Sequence, residues 1–324
     1  MDFLEVKVGS LFTGIGGLDQ AVLRFFNASK LEFVCDNSYG SRKFLEHRYP
    51  DVPNLGDITQ VDWDKVPEVD VLVGGSPCQD LSTAGDRKGM FKGTRSGLWD
   101  AMLDGIESLK PKYVIWENVD GARSAKAFSR VERGDGHVGN RALGRVLGDL
   151  SNAGYDAKWE TVRASDIGAP HRRQRVFVIA YKPDEFFDDY VNIEQLNSDF
   201  LHMNDLLENV TSGRRLLPTP TSSQMDGRKS AKYSGKETFY DLVNKGPSAL
   251  DSYMDAVRTW EHVSGREAPD FLDGRGKLNT EFVEWMMGFP QGWVTDCGLS
   301  RTQQLKLLGN SVVPQQAFYF LMHV

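Results

Sequence analysis

The stretch KVGSLFTGIGGLDQAV, residues 7–22, predicts the first strand, turn and helix of the chain. An apolar run with strand character ends at three closely spaced glycines, and an apolar helical pattern begins directly after them. Glycines at a strand-to-helix turn let the backbone approach a bound ligand closely. The run departs from the dinucleotide pattern G-x-G-x-x-G, because position 19 is Asp. Taken alone, this turn is weak evidence for a ligand site.

Two acidic turns follow the neighbouring strands. The second strand ends in Cys35-Asp36, about 20 residues after the glycines, where a carboxylate can hold ribose hydroxyls. The stretch GDIT, residues 56–59, places Asp57 in a second acidic turn. Together these turns predict an adenosine-containing ligand at the carboxyl ends of the strands. Ordinary glycine turns with surface acids are the alternative interpretation of the same residues.

Short apolar runs alternate with helical patterns along the first 183 residues. The runs are rich in Val, Ile and aromatic residues, which indicates buried strands in KVGSLF, LEFVCD, DVLVGG, KYVIWENV, AKWETV and RVFVIAY. Helical apolar spacing is seen in LDQAVLRFFNA, SRKFLEHRYP, LWDAMLDGIESLKP and NRALGRVLGDLSNAG. The alternation predicts an α/β fold, with a mostly parallel sheet covered by helices on both faces.

After Tyr181 the sequence becomes polar and rich in turn residues. We predict that residues 184–276 form a separate, smaller domain, in which PSALDSYMDAVRTWEHV is the only strong helical pattern. Apolar periodicity returns from Lys277 onward. This terminal segment is predicted to pack back onto the first domain, so that residues 1–183 and 277–324 form one unit.

Composition is that of an ordinary globular protein, with 40% hydrophobic and 26% charged residues among 324. No apolar run approaches the roughly 20 residues that cross a bilayer, and the start lacks signal-peptide character, so we expect a cytoplasmic protein without membrane contact. Three cysteines and six histidines show no metal-ligand spacing, and no metal site is predicted. The net charge of −7 argues against indiscriminate coating of nucleic acid. Basic residues nevertheless collect in 86–95, 171–175 and 214–236, either as solvated surface or as phosphate contacts.

Side chains that could take part in catalysis or binding lie next to three of the predicted strands. Cys78 opens a long, polar, glycine-rich loop after the strand DVLVGG, and such loops are usually functional or disordered. A buried packing cysteine is the alternative. Glu117 lies at the end of KYVIWENV, where a half-buried carboxylate is costly unless paired, so it is either a catalytic acid or a structural ion-pair partner. Arg173 and Arg175 enter the sixth strand, either as surface charge or as an anion or carbonyl site beside these two groups.

Seven blocks occur in a set order: FTGIGG, an acid after the second strand, GDIT, PCQ, ENV, PHRRQR and GNSVVP. In content, order and spacing they resemble the DNA (cytosine-5)-methyltransferase family of bacteria and phages. The resemblance covers residues 6–181 and 277–324. PCQ or ENV alone would occur by chance, whereas all seven in sequence would not. The resemblance implies a Rossmann-like class I S-adenosylmethionine-dependent methyltransferase sheet with a small target-recognition domain.

The resemblance also implies covalent catalysis on cytosine. It assigns Cys78 as the nucleophile that adds to C6, and Glu117 as the group that protonates N3, so that the pKa of Glu117 should be raised. Arg175 matches the arginine that holds the base O2. Arg173 matches the one that supports the loop and a backbone phosphate. The base that finally removes the C5 proton is not identified by these blocks.

The implied methyl donor is S-adenosylmethionine, which leaves as S-adenosylhomocysteine. Residues of the matched blocks would line it: Phe12, Gly14, Gly16, Gly17, Asp36, Asp57, Ile58, Pro77, Asn310 and Ser311. Asp36 would hold the ribose, and Asp57 and Ile58 would lie near the adenine. In the family an aromatic residue that stacks on adenine often follows the ribose acid, and Asn37 stands there instead. This departure predicts weaker cofactor binding or stacking by another side chain.

Double-stranded DNA is the implied substrate, from which the target cytosine must be flipped out of the stack. The loop 79–97 is expected to cover the flipped base. Residues expected to contact DNA are Gln79, Ser82, Arg87, Lys88, Lys92, Arg95, Arg228 and Lys229. The last two belong to the recognition stretch, residues 214–236, which is expected to face the DNA groove. A companion restriction endonuclease that acts on the same site without direct contact is a further expectation, as is a monomer.

Two alternatives stay open at this point. One branch of the family methylates a transfer RNA rather than DNA. A catalytically silent DNA-binding regulator is the other alternative, but the intact Cys78, Glu117, Arg173 and Arg175 favour an enzyme.

Overall fold

The computed structural model describes residues 5–26, 30–76, 98–125, 141–185, 191, 193–208, 210, 213–221 and 237–324. Within this part of the chain six strands form one sheet. They are β1 (Lys7–Leu11), β2 (Lys30–Cys35), β3 (Val71–Gly74), β4 (Tyr113–Val119), β5 (Asp156–Arg163) and β6 (Gln174–Tyr181). All six predicted strands are confirmed, because each corresponds to one of the short apolar runs.

The strand order in the sheet is β2-β1-β3-β4-β6-β5. The first four strands in this order pair in parallel, whereas β6 runs antiparallel to both β4 and β5. Only residues 164–173 connect β5 to β6, and a parallel neighbour would need a crossover of about a dozen residues or more. The predicted mostly parallel sheet is therefore confirmed, with one reversed strand that the sequence interpretation did not single out.

Helices cover both faces of this sheet, as predicted. They are α1 (Gly17–Phe25), α3 (Leu98–Leu109), α4 (Ala142–Asn152) and α10 (Pro314–Met322), with α2 (Tyr39–Arg48) at the side. Val22 of α1 and Phe320 of α10 belong to the core on one face. Met102 of α3 and Val146 of α4 belong to the core on the other. The C-terminal helix thus packs back onto the first helix, which confirms the predicted return of the terminal segment.

A third core lies beside the sheet and combines distant parts of the chain. Its further helices are α6 (Phe239–Lys245), α7 (Met254–Ser264), α8 (Thr280–Met286) and α9 (Arg301–Asn310). Phe239 and Trp260, from the predicted recognition domain, share this core with Phe44 and Phe282. The predicted helix PSALDSYMDAVRTWEHV is a 3-10 turn over Pro247–Tyr253 that continues into α7.

Residues 184–276 contain two helices that the sequence did not predict, α6 and a longer helix before it. The helix α5 spans Ile193–Leu207, in a region where a single later helix had been the only strong pattern. Its partners come from distant segments: Asp199 pairs with Arg24 at 3.1 Å, and the Phe200 ring lies 5.1 Å from that of His323. Tertiary contacts therefore stabilise a helix whose local pattern is weak. None of the described helices is both long and apolar enough to span a membrane.

Candidate active site

The carboxyl ends of the parallel strands gather the predicted site residues at one edge of the sheet. The register pairs Leu11 with both Cys35 and Gly74, and Gly74 with Trp116. The glycine turn, Asp36 and Glu117 follow these positions directly in the chain. The structure therefore brings the glycine turn, Asp36 and the predicted acid to the same edge.

Asp36 is held toward the glycine turn. Its Oδ2 accepts a hydrogen bond from the Gly14 N–H at 3.0 Å, and its Oδ1 accepts one from the Ser38 N–H at 2.9 Å. The Asn54 side chain brackets the backbone of Asp36, accepting from its N–H at 3.1 Å and donating to its carbonyl at 3.2 Å. A carboxylate has about four acceptor sites, so these bonds leave room for ribose hydroxyls.

The glycine turn is shaped for close approach. Gly14 and Gly16 have φ values of 61° and 71°, a region that costs other residues strain. A Cβ on Gly17 would lie 2.6 Å from the Ser311 Oγ and 2.7 Å from the Val312 carbonyl oxygen. The turn and the GNSVVP block are therefore in direct contact, which places Ser311 and its neighbour Asn310 beside the turn.

The predicted adenine side of the pocket contains a hydrogen-bonded pair. The Asn37 Nδ2 donates to the Asp57 Oδ2 at 3.1 Å, while the Asp57 Oδ1 accepts from the Thr59 N–H and hydroxyl. These bonds from Thr59 lower the pKa of Asp57. Ile58 is buried next to them. The residue that stands in place of a stacking aromatic therefore orients the acid of the GDIT turn.

The last described residue before the PCQ block is anchored from β4. The Trp116 Nε1 donates to the Ser76 Oγ at 3.0 Å, and the Asn118 Nδ2 donates to the Ser76 carbonyl at 3.2 Å. These two donors flank Glu117 in the chain. Ser76 is buried, so the end of β3 and the ENV block are held in one register.

Glu117 forms the ion pair that the sequence left as one of two alternatives. Its Oε1 lies 2.8 Å from the Arg175 Nε, and the two side chains are 16% and 13% exposed. Burial raises the pKa of Glu117, and the charges of Arg175 and Arg173 oppose that shift without cancelling it. A carboxyl group with a raised pKa beside a positive charge can act as an acid toward a substrate at this edge.

Arg173 is buried, which excludes the alternative that it is a surface charge. It is 2% exposed, and its terminal nitrogens donate to the carbonyls of Pro220, Gly309 and Ser311. A guanidinium that is buried and bonded to carbonyls cannot also reach a backbone phosphate in this arrangement. Arg173 and Arg175 therefore differ in their partners: Arg173 bonds to main-chain carbonyls, whereas Arg175 pairs with Glu117.

Several predicted residues lie outside the part of the chain that the structure describes. They are Pro77, Cys78, Gln79, Ser82, Arg87, Lys88, Lys92, Arg95, Arg228 and Lys229. Of the recognition stretch, Arg214 donates to the Ser165 carbonyl, and Arg215 pairs with Glu237 at 3.0 Å. Among the described residues no group of three or more His, Cys, Asp or Glu side chains could hold a metal ion.

Sequence reasoning missed several residues that support this edge. Asn54 and Ser76 are small polar residues next to recognised blocks, and their adjacency to GDIT and PCQ was the only available signal. Trp293 donates through Nε1 to the Ile15 carbonyl at 2.9 Å, and Gln316 donates to the Arg173 carbonyl at 2.8 Å. Nothing local in the sequence marks these last two residues, because their partners lie far away in the chain.

Sequence similarity to known proteins extends over nearly the whole chain. A family model described as C-5 cytosine-specific DNA methylase matches residues 6–323. The orphan methyltransferase M.Rho11sI of Bacillus phage rho11s is 30% identical over 199 residues, which cover 61% of this chain and 37% of that protein. The type II methyltransferase M.MspI of a Moraxella species is 26% identical over 309 residues, which cover 95% of this chain and 68% of that protein. The chain thus spans between 37% and 68% of the length of these two relatives.

Solved structures share the fold. The S. pombe Dnmt2 methyltransferase matches with a TM-score of 0.59 at 14% identity, covering 98% of both chains. A triple mutant of Spodoptera frugiperda DNMT2 matches with a TM-score of 0.58 at 15% identity, covering 99% of this chain and 100% of that one. At such identities the likeness concerns the fold alone, and it confirms the predicted methyltransferase sheet.

Proposed function

We propose that this chain, which belongs to the family of C-5 cytosine-specific DNA methylases, transfers a methyl group from S-adenosylmethionine to C5 of cytosine in double-stranded DNA. The observation that carries the proposal is the Glu117–Arg175 pair at the sheet edge that also holds the glycine turn and Asp36. An acid, a cation and a ligand-binding turn at one edge are what methyl transfer to a flipped base requires.

Carbon 5 of cytosine becomes a nucleophile only after a group has added to C6. We assign this addition to the Cys78 thiolate, which forms a bond to C6 while Glu117 gives a proton to N3. The raised pKa of Glu117 supports this role, because a carboxyl that keeps its proton to higher pH can donate it. Arg175 holds the base O2 and stabilises the charge that develops on the ring.

When bound, S-adenosylmethionine supplies the electrophilic methyl group. A base then removes the proton from C5, Cys78 leaves by elimination as the thiolate, and N3 returns its proton to the Glu117 carboxylate, which restores the neutral aromatic ring. No described residue is assigned as that base. Glu117 and Arg175 hold the ring in place through both steps, since their contacts are to N3 and O2 rather than to the reacting C5.

The residues at the edge fit the proposed cofactor. The glycine turn leaves no room for a side chain at Gly17, and the Asp36 carboxylate faces the turn with acceptor capacity to spare. We assign Asp36 to the ribose, Asp57 with Ile58 to the adenine, and Asn310 with Ser311 to the C-terminal segment that closes the pocket beside the turn. Phe12, Gly14, Gly16 and Pro77 complete the set.

We further propose that the target base is flipped out of the duplex and covered by the loop 79–97. Residues 1–183 and 277–324 would then form the catalytic domain, and residues 184–276 the recognition domain, with the recognition stretch at the DNA groove. The proposed setting is the cytoplasm of a bacterial or phage-infected cell. There the chain would act as a monomer, with a possible companion endonuclease on the same site.

Bisulfite sequencing of DNA from cells that express the protein tests the reaction and reports the sequence context. We expect 5-methylcytosine at one short sequence, and its loss in Cys78→Ser, because a serine hydroxyl is a far weaker nucleophile than a thiolate at neutral pH. Cys297→Ser is the matched control, since the Cys297 Sγ donates to the Trp293 carbonyl at 3.2 Å and belongs to none of the seven blocks. Methylation of transfer RNA but not of duplex DNA would redirect the proposal to the other branch of the family.

A covalent trap tests the mechanism separately. DNA that carries 5-fluorocytosine at the target should stay attached to Cys78, because fluorine at C5 leaves no removable proton and blocks elimination. Methylation without a trapped complex would contradict the covalent mechanism and leave the reaction class intact.

A further inference from the structure

Arg173 connects three segments that are distant in the chain. Its Nη1 donates to the Pro220 carbonyl at 2.8 Å, and its Nη2 donates to the carbonyls of Gly309, at 3.3 Å, and Ser311. Pro220 lies within the recognition stretch, whereas Gly309 and Ser311 belong to the GNSVVP block. One guanidinium therefore bonds both the predicted DNA side and the predicted cofactor side of the protein.

The backbone of Arg173 is held as firmly as its side chain. Its φ of 22° is unusual for a residue other than glycine, and such conformations persist only where the surroundings impose them. The Arg173 N–H donates to the Thr219 Oγ1 at 3.3 Å, and the Gln316 Nε2 donates to the Arg173 carbonyl at 2.8 Å. The same two regions, around 219 and 316, thus fix the main chain of Arg173.

The segments that Arg173 bonds lie next to the glycine turn on one side and the PHRRQR block on the other. On the cofactor side, the Ser311 Oγ and the Val312 carbonyl are the atoms that a Cβ on Gly17 would strike. On the DNA side, the Leu217 N–H donates to the Pro170 carbonyl at 2.8 Å, so the recognition stretch is paired with the PHRRQR block. The guanidinium is planar and presents its donors in a fixed fork, so the two ends cannot shift independently while it is in place.

We propose that Arg173 is a positioning residue that holds the GNSVVP turn and the recognition stretch in one register, so that cofactor occupancy and DNA affinity are coupled through it. The inference rests on the proposed function, because it needs both ligands to bind. It replaces the phosphate contact that the resemblance implied for this arginine. Arg175 has a different role, since it lies beside Glu117 at the reacting edge.

Arg173→Lys, with Arg172→Lys as its matched control, tests the inference. Arg172 is the adjacent arginine and is exposed, so its replacement leaves the buried link intact. The affinity for genomic DNA fragments is measured by fluorescence anisotropy with and without saturating S-adenosylhomocysteine. The affinity for S-adenosylhomocysteine is measured by calorimetry with and without DNA. By thermodynamic linkage the two pairs of measurements must give the same coupling factor.

The wild type and Arg172→Lys should bind DNA at least about 5-fold more tightly when S-adenosylhomocysteine is present, and Arg173→Lys should lower this factor to about 1. A lysine keeps the charge but lacks the rigid planar fork of donors that spans both sides. A purely structural role would weaken both affinities and leave the coupling factor unchanged. Thr219→Val removes the acceptor of the Arg173 N–H and leaves the Pro220 carbonyl in place, so it should lower the factor partially. This variant keeps the test decisive if Arg173→Lys does not fold.

A coupling factor that stays at the wild-type value in both Arg173→Lys and Thr219→Val would overturn the inference. A wild type without coupling would overturn it as well. Failure of the proposed function would give a different result. The wild type would then bind no S-adenosylhomocysteine or would leave DNA unmethylated.

Discussion

A half-buried and a buried glutamate in this protein have opposite surroundings. Glu117, at the end of β4, forms an ion pair with Arg175 and lies at the edge of the sheet where the parallel strands end. Glu284, in α8, is 1% exposed and accepts hydrogen bonds from the N–H groups of Gly292, Val294 and Thr295. Burial raises the pKa of both carboxyl groups. Burial and a raised pKa therefore do not distinguish a catalytic acid from a structural one.

The partners make the distinction. The Thr295 hydroxyl also donates to Glu284, so both of its oxygens are occupied by one turn. The turn at residues 292–295 also bonds to the glycine turn, because the Trp293 Nε1 donates to the Ile15 carbonyl. The Arg48 Nε donates in turn to the Trp293 carbonyl at 2.9 Å. Glu117 has no such set of backbone donors among the contacts that the structure describes. Its second oxygen can therefore serve a substrate.

The largest expected effect is on catalysis at Glu117. Glu117→Gln should reduce the methylation rate by about 10²- to 10⁴-fold, because the amide keeps the shape but cannot give a proton to N3. The single-turnover rate of methyl transfer from tritiated S-adenosylmethionine measures this loss. A rate within threefold of the wild type would contradict the assignment of Glu117 as the acid. Circular dichroism should show an unchanged fold.

Glu284→Ala should instead lower the free energy of unfolding, by about 1–3 kcal/mol, because it leaves the buried N–H donors of the turn without an acceptor. Urea unfolding measures the change, and the methylation rate per folded molecule should stay near that of the wild type. Glu281→Ala is the control, since this exposed residue of the same helix should change stability by less than about 0.5 kcal/mol. A rate loss as large as that of Glu117→Gln would remove the distinction between the two glutamates.

Crowding Glu117 should have a smaller effect. A Cβ on Gly75 would lie 3.0 Å from the Glu117 Oε2. Gly75→Ala should therefore slow methylation by about tenfold, equivalent to about 1.4 kcal/mol in the barrier. Gly144→Ala, in α4, is the control, because a Cβ there meets nothing within 4 Å. Equal rates for the two variants would show that Oε2 does not take part.

The smallest expected difference between the two glutamates is in how stability and the methylation rate depend on pH. A raised pKa in the folded state means that each group stabilises the protein fully below its unfolded pKa, and that this contribution is lost as pH rises through the folded value. The free energy of unfolding should therefore vary with pH through the titration of both glutamates. The methylation rate should fall with rising pH through the titration of Glu117 alone. Glu284→Gln should keep the wild-type pH–rate profile. A profile altered in Glu284→Gln would place that residue in the chemistry.

Much of the fold could be predicted from local signals. The six strands are short apolar runs, and the glycines at 14, 16 and 17 mark the turn between the first strand and α1. The site residues Asp36 and Glu117 could be placed at one edge because parallel strands present their carboxyl ends together. These predictions needed only the period of the apolar pattern and the position of each residue relative to a strand end.

Other features depended on contacts between distant segments. The reversal of β6, the helix α5 and the burial of Arg173 all involve partners that no local pattern identifies. In PHRRQR the three arginines look alike, yet Arg172 is exposed, Arg173 is buried among carbonyls and Arg175 pairs with Glu117. Local patterns are sufficient to place each residue type at its strand end. Whether a side chain bonds within the protein or stays open to a ligand depends on tertiary packing, because burial and hydrogen-bond partners arise only when the elements pack.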